Sequence, residues 1–399
     1  MKYLEYEFDP FFTWVNRPKI MYGPGLRSEI GFELNQLGGT RALVVTDKGL
    51  VNAGVAKMVT DAIEASGDLE LAGVFDEVMQ DARIGIINKG AAFYRECKAD
   101  CIVAVGGGSV MDSAKAINIL IDAEADDFGP FAAQLGLYDG ARQLPPHIAL
   151  PTTAGTGCEV TYAMVVLDEE NHAKLGVAHP FCNADIAMLD PELMVKLPPK
   201  ITAFTGIDAL THAIEGATAL TREPIADAMC LHAIRLVCKF LPLAVKEPDN
   251  ISARGHMLMA SNLAGMGFIN ALTGGVHATA HALGGIYGIP HGLANSIMLP
   301  WVMEFNSEED PERFVMVADA MGIDTKDKDP ADVAKEAVQA VRDLIKEIGL
   351  TETLRDFNVP AEREQLTALV ELAYSDSQAP YNPRELTEDA IFDLYLKAI

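Results

Sequence analysis

The chain has 399 residues, enough to bury a large core and to divide into two domains. Hydrophobic residues make up 49% and charged residues 22%, an ordinary globular balance, and no apolar run is expected to approach the ~20 residues of a membrane helix. A net charge of −26 argues against nucleic acid and anionic membrane surfaces as partners.

Elements alternate in the first half. "RALVVTD" (41–47) predicts a strand, "AGVAKMVTDAIEASG" (53–67) a helix and "LELAGVF" (69–75) a strand. "IGIINKGAAFYRECKA" (84–99) then reads as a helix and "CIVAV" (101–105) as a strand entering a glycine turn. This rhythm predicts an α/β domain with a parallel sheet covered on both faces. "HIALPTTAG", "TYAMVVLDEENHAKLGV" and "IAMLD" supply further strand candidates up to residue 190. From residue 201 the spacing is helical with almost no strand. The expected division is an α/β domain over 1–191 and an all-helical domain over 192–399, with Leu197-Pro198-Pro199 ending the linker. The start "MKYLEYEFDPFF" lacks the basic and apolar regions of a signal peptide. The six cysteines form no C-x-x-C pair and read as reduced, buried residues, so the expected location is cytoplasmic.

"GGGSVMDSAK" opens a helix directly after a strand. Glycines there let the backbone approach a bulky anion, and free N–H groups at the helix start suit a pyrophosphate. The pattern is neither G-x-G-x-x-G nor a P-loop, and a bare strand-to-helix turn needs the same residues. Asp47 ends the first strong strand. A carboxylate there accepts from both ribose hydroxyls and repels a 2′-phosphate, favouring NAD over NADP. Position alone allows a solvated turn-opening acid equally well. "PTTAGTGCEVT" (151–161) offers the hydroxyls of Thr152, Thr153 and Thr156 to a nucleotide, or forms a polar turn.

A metal with open positions needs about three or four protein donors. "GIDALTHAIEG" sets Asp208 and His212 at i, i+4, on one helix face, and His277 and His281 share that spacing. His291 follows Pro290. Spacing alone chooses His277 and His281 as the ligand pair and cannot say which downstream histidine stays out. His147, His172, His179, His232 and His256 read as ordinary core or surface histidines. No lysine or arginine lies between Arg254 and Arg313, so a site built there suits a small neutral substrate.

"GGGSVMDSAK", "PTTAGTGCEVT", "GIDALTHAIE" and "HATAHALGGIYGIPHGLAN", in this order, resemble the iron-containing alcohol dehydrogenases, in the branch of lactaldehyde reductases, 1,3-propanediol dehydrogenases and NAD-dependent methanol dehydrogenases. The resemblance runs from "YGPG" (22–25) to "NPR" (382–384). It implies a Rossmann-like parallel domain followed by an all-α domain, the dehydroquinate synthase-like fold. It also implies Asp208, His212, His277 and His291 as metal ligands, with His281 left outside as a catalytic histidine near nicotinamide and substrate. Gly107, Gly108 and Ser109 match the pyrophosphate loop, and Asp47 the ribose-binding acid. Asp112, Thr152, Thr153, Thr156 and Lys174 are counted with the cofactor-binding positions, and Phe268 with the substrate pocket. Cys158 stands where the family commonly has serine.

The implied activity is reversible hydride transfer between a small primary alcohol or diol and NAD, with Fe(II), or Zn(II), as Lewis acid on the alcohol oxygen. A homodimer or larger homo-oligomer is implied as well. Two other readings stand beside it. A dehydroquinate synthase-type lyase also uses NAD and a metal, but its anionic substrate calls for cations that the metal-site segment lacks. A non-catalytic metal- or nucleotide-binding protein would show no alcohol turnover.

Overall fold

The structure, a computed structural model, describes residues 11–133, 144–171, 173–179 and 181–399. His172 lies outside them. The chain divides into two compact units, one spanning Val15–Leu197 and one comprising Pro198–Ile399 with the described residues before Val15. The first boundary therefore falls six residues beyond the expected 191. Polar ties explain the shift: Arg27 Nη1 pairs with Asp190 at 2.7 Å and Glu192 at 2.8 Å, and Lys196 Nζ donates to the Ala53 carbonyl at 2.8 Å. The break comes at Pro198-Pro199, where the paired prolines start a helix.

In the first unit β1 (Lys19–Tyr22), α1 (Ile30–Gln36), β2 (Arg41–Asp47), α2 (Lys48–Asn52), α3 (Val55–Ser66) and β3 (Glu70–Val78) are followed by β4 (Ala82–Arg83) and α4 (Ile84–Glu96). Then come β5 (Cys101–Gly106), α5 (Gly108–Asp122), α6 (Gly129–Ala133), β6 (His147–Pro151), β7 (Ala163–Asp168), β8 (Ala173–Ala178) and β9 (Ile186–Leu189). Six strands form one parallel sheet in the order β1-β9-β6-β5-β2-β3. The apolar runs of β2 and β5 are buried on both faces, as the central strands of such a sheet must be. Leu43, Val45, Ile102 and Ala104 pack with Ile87, Met111 and Ile117 of α4 and α5. Ala42, Val44 and Val103 face the other way, onto Ile30, Val59 and Ile63 of α1 and α3. β7 pairs with β4 in parallel and β8 in antiparallel, making a separate three-stranded sheet that the strand pattern of 163–178 did not reveal.

Strand order reverses between β2 and β5, because β3 continues on one side and β6 on the other. Ligands of open parallel sheets bind outside the carboxyl ends of the strands at such a point. Val45 lies level with Ala104, so Asp47 ends β2 near the end of β5, and Gly106 is level with Pro151 of β6. One edge thus carries Asp47, the glycine turn and the hydroxyl-rich loop.

The second unit is helical: α7 (Pro199–Thr218), α8 (Pro224–Lys246), α9 (Ile251–Ala271), α10 (Gly275–Tyr287), α11 (His291–Glu309), α12 (Pro311–Met321), α13 (Pro330–Glu347), α14 (Arg363–Tyr374) and α15 (Glu388–Ala398). α7 is buried without interruption from Gly206 to Thr218, so its polar residues must be paired inside the bundle. Contrary to the sequence expectation, α8 is long and apolar enough to cross a membrane by length and composition. Its buried residues recur at helical spacing, from Ala226 and Cys230 to Val237, Leu241 and Ala244, and they pack against α7 and α9.

The first turn of α11 sits directly on the α7 backbone. A Cβ on Gly292 would lie 2.3 Å from the Phe204 carbonyl oxygen and 2.7 Å from its carbon. Backbone cannot swing aside as a side chain can. Gly292→Ala is therefore expected to lower stability by roughly 1–3 kcal/mol, read as a reduced denaturation midpoint of the purified protein.

Candidate metal centre and cofactor-binding edge

α7, α10 and α11 each turn donors toward one point. The His291, His277 and His212 Nε2 atoms lie 3.3, 3.8 and 4.0 Å from Asp208 Oδ1. Donor atoms of Asp208, His277 and His291 all fall within 4.8 Å of one another. Donors ~2.1 Å from a tetrahedral ion are themselves about 3.4 Å apart, so the set matches a divalent ion with slight contraction. His277 Nε2 is buried and has no hydrogen-bond partner among the described residues. A buried lone pair left this way is costly unless a ligand takes it. The donor set fits a metal.

Burial alone would raise the Asp208 carboxyl, but His212, His291 and Asn295 around it hold it down to about 2. Burial, with His212, His291 and His281 nearby, holds His277 well below its ordinary value and keeps it neutral. Both states are the ones ligation requires.

Around the donors stand residues that spacing did not single out. Glu215 of α7 pairs through Oε2 with His277 Nδ1 and accepts from the Val276 N–H at 2.7 Å. Burial pushes Glu215 up to about 8, opposed by the N–H groups of Val276, His277 and Gly274. Asn295 of α11 donates to Asp208 Oδ1 at 2.8 Å and lies 3.3 Å from His291 Nε2. A local signal existed for both: Glu215 is seven residues after Asp208 on one helix face, and Asn295 follows His291 by four. Asp376 had none. It pairs with His281 Nδ1 at 2.9 Å, and although burial raises its carboxyl, that bond helps to hold it below its ordinary value. His281 stacks beside His291, ring centroids 5.3 Å apart, and like His212 stays outside the mutual donor group. Phe268 of α9 stacks on His212 at 4.1 Å.

At the sheet edge, a Cβ on Gly107 would meet Thr153 Oγ1 at 3.2 Å, and one on Gly108 would meet Thr156 Cγ2 at 2.9 Å. The glycine turn and the hydroxyl loop are thus one surface. Thr152 is buried and its N–H donates to the Gly106 carbonyl at 2.9 Å. Asp47 caps α2, accepting from the Leu50 N–H at 2.9 Å. Asp81, unmarked in the sequence, holds two predicted residues: its N–H donates to Ser109 Oγ at 3.1 Å and its carboxylate pairs with Lys174 at 2.8 Å. Its φ of 61° is rare for a non-glycine residue.

Asp112, expected among the cofactor-binding positions, has a structural engagement. It lies on the inward side of α5, nine-tenths buried, accepts from the Val165 N–H at 3.0 Å and stands 3.7 Å from Lys115. It braces α5 to β7. Burial and this carboxylate push the Cys158 thiol up, so the cysteine in the usual serine place points into the same buried cluster. Of the background histidines, His147 is buried and lowered to about 3 by that burial, His179 packs tilted against Phe181, His256 stacks on Phe240, and His232 is exposed.

A parallel sheet with a glycine turn at its switch point, joined in one chain to a helical unit bearing imidazoles clustered around one carboxylate, defines a fold suited to a dinucleotide and a metal. Residues 17–191 match the family described as iron-containing alcohol dehydrogenase, and residues 202–399 match its C-terminal part. Choline dehydrogenase of Bacillus subtilis is 36% identical over 385 residues, covering 96% of this chain and 94% of that protein. 1,3-Propanediol dehydrogenase of Citrobacter freundii is 37% identical over 380 residues, covering 94% and 96%. The crystal structure of sulfoacetaldehyde reductase from Bifidobacterium kashiwanohense in complex with NAD+ superposes with a TM-score of 0.88 at 32% identity, covering 98% of this chain and 99% of that one.

The chain belongs to the iron-containing alcohol dehydrogenase family. It is an oxidoreductase acting on alcohols and aldehydes with NAD and iron as cofactors. Prolonged chelation is expected to abolish turnover, and added ferrous iron to restore it. His277→Ala is expected to remove stoichiometric metal, read by elemental analysis, together with activity.

Proposed function

We propose that this chain interconverts a small, neutral primary alcohol or diol and its aldehyde with NAD(H), at a divalent ion held by Asp208, His212, His277 and His291. The observation that carries the reading is the convergence of Asp208, His277 and His291, with His212 Nε2 4.0 Å from Asp208, around a buried, unpartnered imidazole nitrogen. When bound, the ion supplies Lewis acidity toward an alcohol or carbonyl oxygen, and the dinucleotide supplies the hydride acceptor or donor. Imidazole and carboxylate donors suit Fe(II) and also Zn(II).

The chain's own groups do the rest. Asp208 brings the compensating negative charge and Asn295 holds its carboxylate in place. His281 is partly exposed and held through Nδ1 by Asp376, which leaves Nε2 to carry the alcohol proton outward. Phe268 limits the space beside His212 and lines the substrate pocket. Gly107, Gly108 and Ser109 present the N-terminus of α5 to the pyrophosphate. Thr152, Thr153, Thr156 and Lys174 contact the nucleotide, and Asp47 accepts from the adenosine ribose. Val15–Leu197 is in this reading the dinucleotide unit and the helical unit the metal unit.

Neutrality of the substrate rests on residues 255–312, which contain no lysine or arginine to meet an anion. The same absence weighs against a lyase with a phosphorylated substrate. Six free cysteines and a charge of −26 support a cytoplasmic enzyme without nucleic-acid or membrane partners, and the family resemblance supports a homodimer or larger homo-oligomer.

The test is NAD reduction by iron-loaded protein with ethanol, 1-butanol and 1,3-propanediol. NADH is expected with at least one of them, and metal and dinucleotide binding without any NADH would leave a non-catalytic binding protein. Asp47→Gly is expected to improve kcat/KM for NADP relative to NAD by about tenfold. An unchanged ratio removes Asp47 from cofactor choice.

A further inference from the structure

Glu215 has two engagements that a packing residue would not need. It is almost fully buried on α7, on the face that carries Asp208 and His212. One carboxylate oxygen accepts from the Val276 N–H at 2.7 Å, at the start of α10. The other meets His277 Nδ1, while Nε2 of the same ring faces Asp208 Oδ1 at 3.8 Å without any hydrogen-bond partner among the described residues. A neutral imidazole carries one proton. If it sits on Nδ1, Nε2 has a free lone pair; if it sits on Nε2, that nitrogen cannot bind a cation.

We infer that Glu215 is the positioning residue of the metal centre: it holds His277 as the Nδ1–H tautomer and aims Nε2 at the ion. This rests on the proposed ligand set. Glu215 does not touch the ion. Its two oxygens tie the imidazole, the first turn of α10 and helix α7 into one unit, so ring orientation and tautomer are set by one side chain. Partners of ligating histidines typically change metal affinity by about 10–100-fold when removed.

The experiment compares cobalt(II) binding, by chelator competition and visible absorption, in the full-length wild type, Glu215→Gln, Asn382→Ala and His277→Ala. Gln keeps the size and an oxygen for the Val276 N–H, but its NH2 group meets Nδ1 and drives the proton to Nε2. Asn382 accepts from the Gly275 N–H at 3.0 Å, so Asn382→Ala loosens the same helix turn without touching His277. The expected result is cobalt affinity reduced about 10–100-fold in Glu215→Gln, unchanged in Asn382→Ala and lost in His277→Ala, with helix content alike in all metal-free proteins. Wild-type affinity in Glu215→Gln overturns the inference, as does an equal loss in Asn382→Ala. Should Glu215→Gln fail to fold, the ring nitrogens of the zinc-loaded wild type decide by NMR: a proton on Nδ1 of His277, assigned by its loss in His277→Ala, supports the inference, and its absence overturns it. Wild-type cobalt affinity in His277→Ala would instead defeat the ligand set itself.

Discussion

A buried carboxylate surrounded by imidazoles governs the helical unit. Taking the Asp208 charge out of water costs several kcal/mol unless something compensates it. Asn295 donates to it at 2.8 Å, and three ring nitrogens face it between 3.3 and 4.0 Å. Four donors in this arrangement repel or leave one another unsatisfied until a cation joins them. The donors come from α7, α10 and α11, so an ion held by them would also cross-link three helices.

That centre in turn constrains backbone packing. Gly292 lets α11 rest on the carbonyl of Phe204, one residue past His291. Gly216 allows a less extreme approach, since a Cβ there would lie 3.3 Å from the Phe268 backbone and 2.8 Å from Cys230 Sγ. Phe268 then reaches the face of His212. Glycine serves here to bring helices near enough for short side chains to meet. The α/β unit uses it differently: at Gly107 and Gly108 the missing Cβ leaves room for the threonines of the next loop and keeps the first turn of α5 open to an anion.

Relatives of similar identity are named for choline, 1,3-propanediol and sulfoacetaldehyde, which are cationic, neutral and anionic substrates. Similar sequences thus carry names of differently charged molecules. Substrate choice must reside in the lining around the centre, and in this chain the stretch 255–312 carries no lysine or arginine to meet an anion.

Local pattern alone determined a good deal about this protein. The alternation of buried strands and helices, the glycine turn after "CIVAV" and the i, i+4 pairs on α7 and α10 are set by residues close in sequence, where helix and strand periodicity decide which side chains share a face. Asp208 and His212 belonged together on that basis. Spacing alone paired His281 with His277, because those two share the i, i+4 separation; resemblance put His291 in its place, and the tertiary structure groups His291 with Asp208 while turning His281 to Asp376, 95 residues away. Asp81, which joins Ser109 to Lys174 across 93 residues, and Asp112, drawn inward to Val165, were likewise settled by packing. So were the separate small sheet and the end of the first unit at Leu197. A hydrogen bond between segments far apart in the chain leaves no periodic trace in either one. Only the folded backbone decides which of them meet.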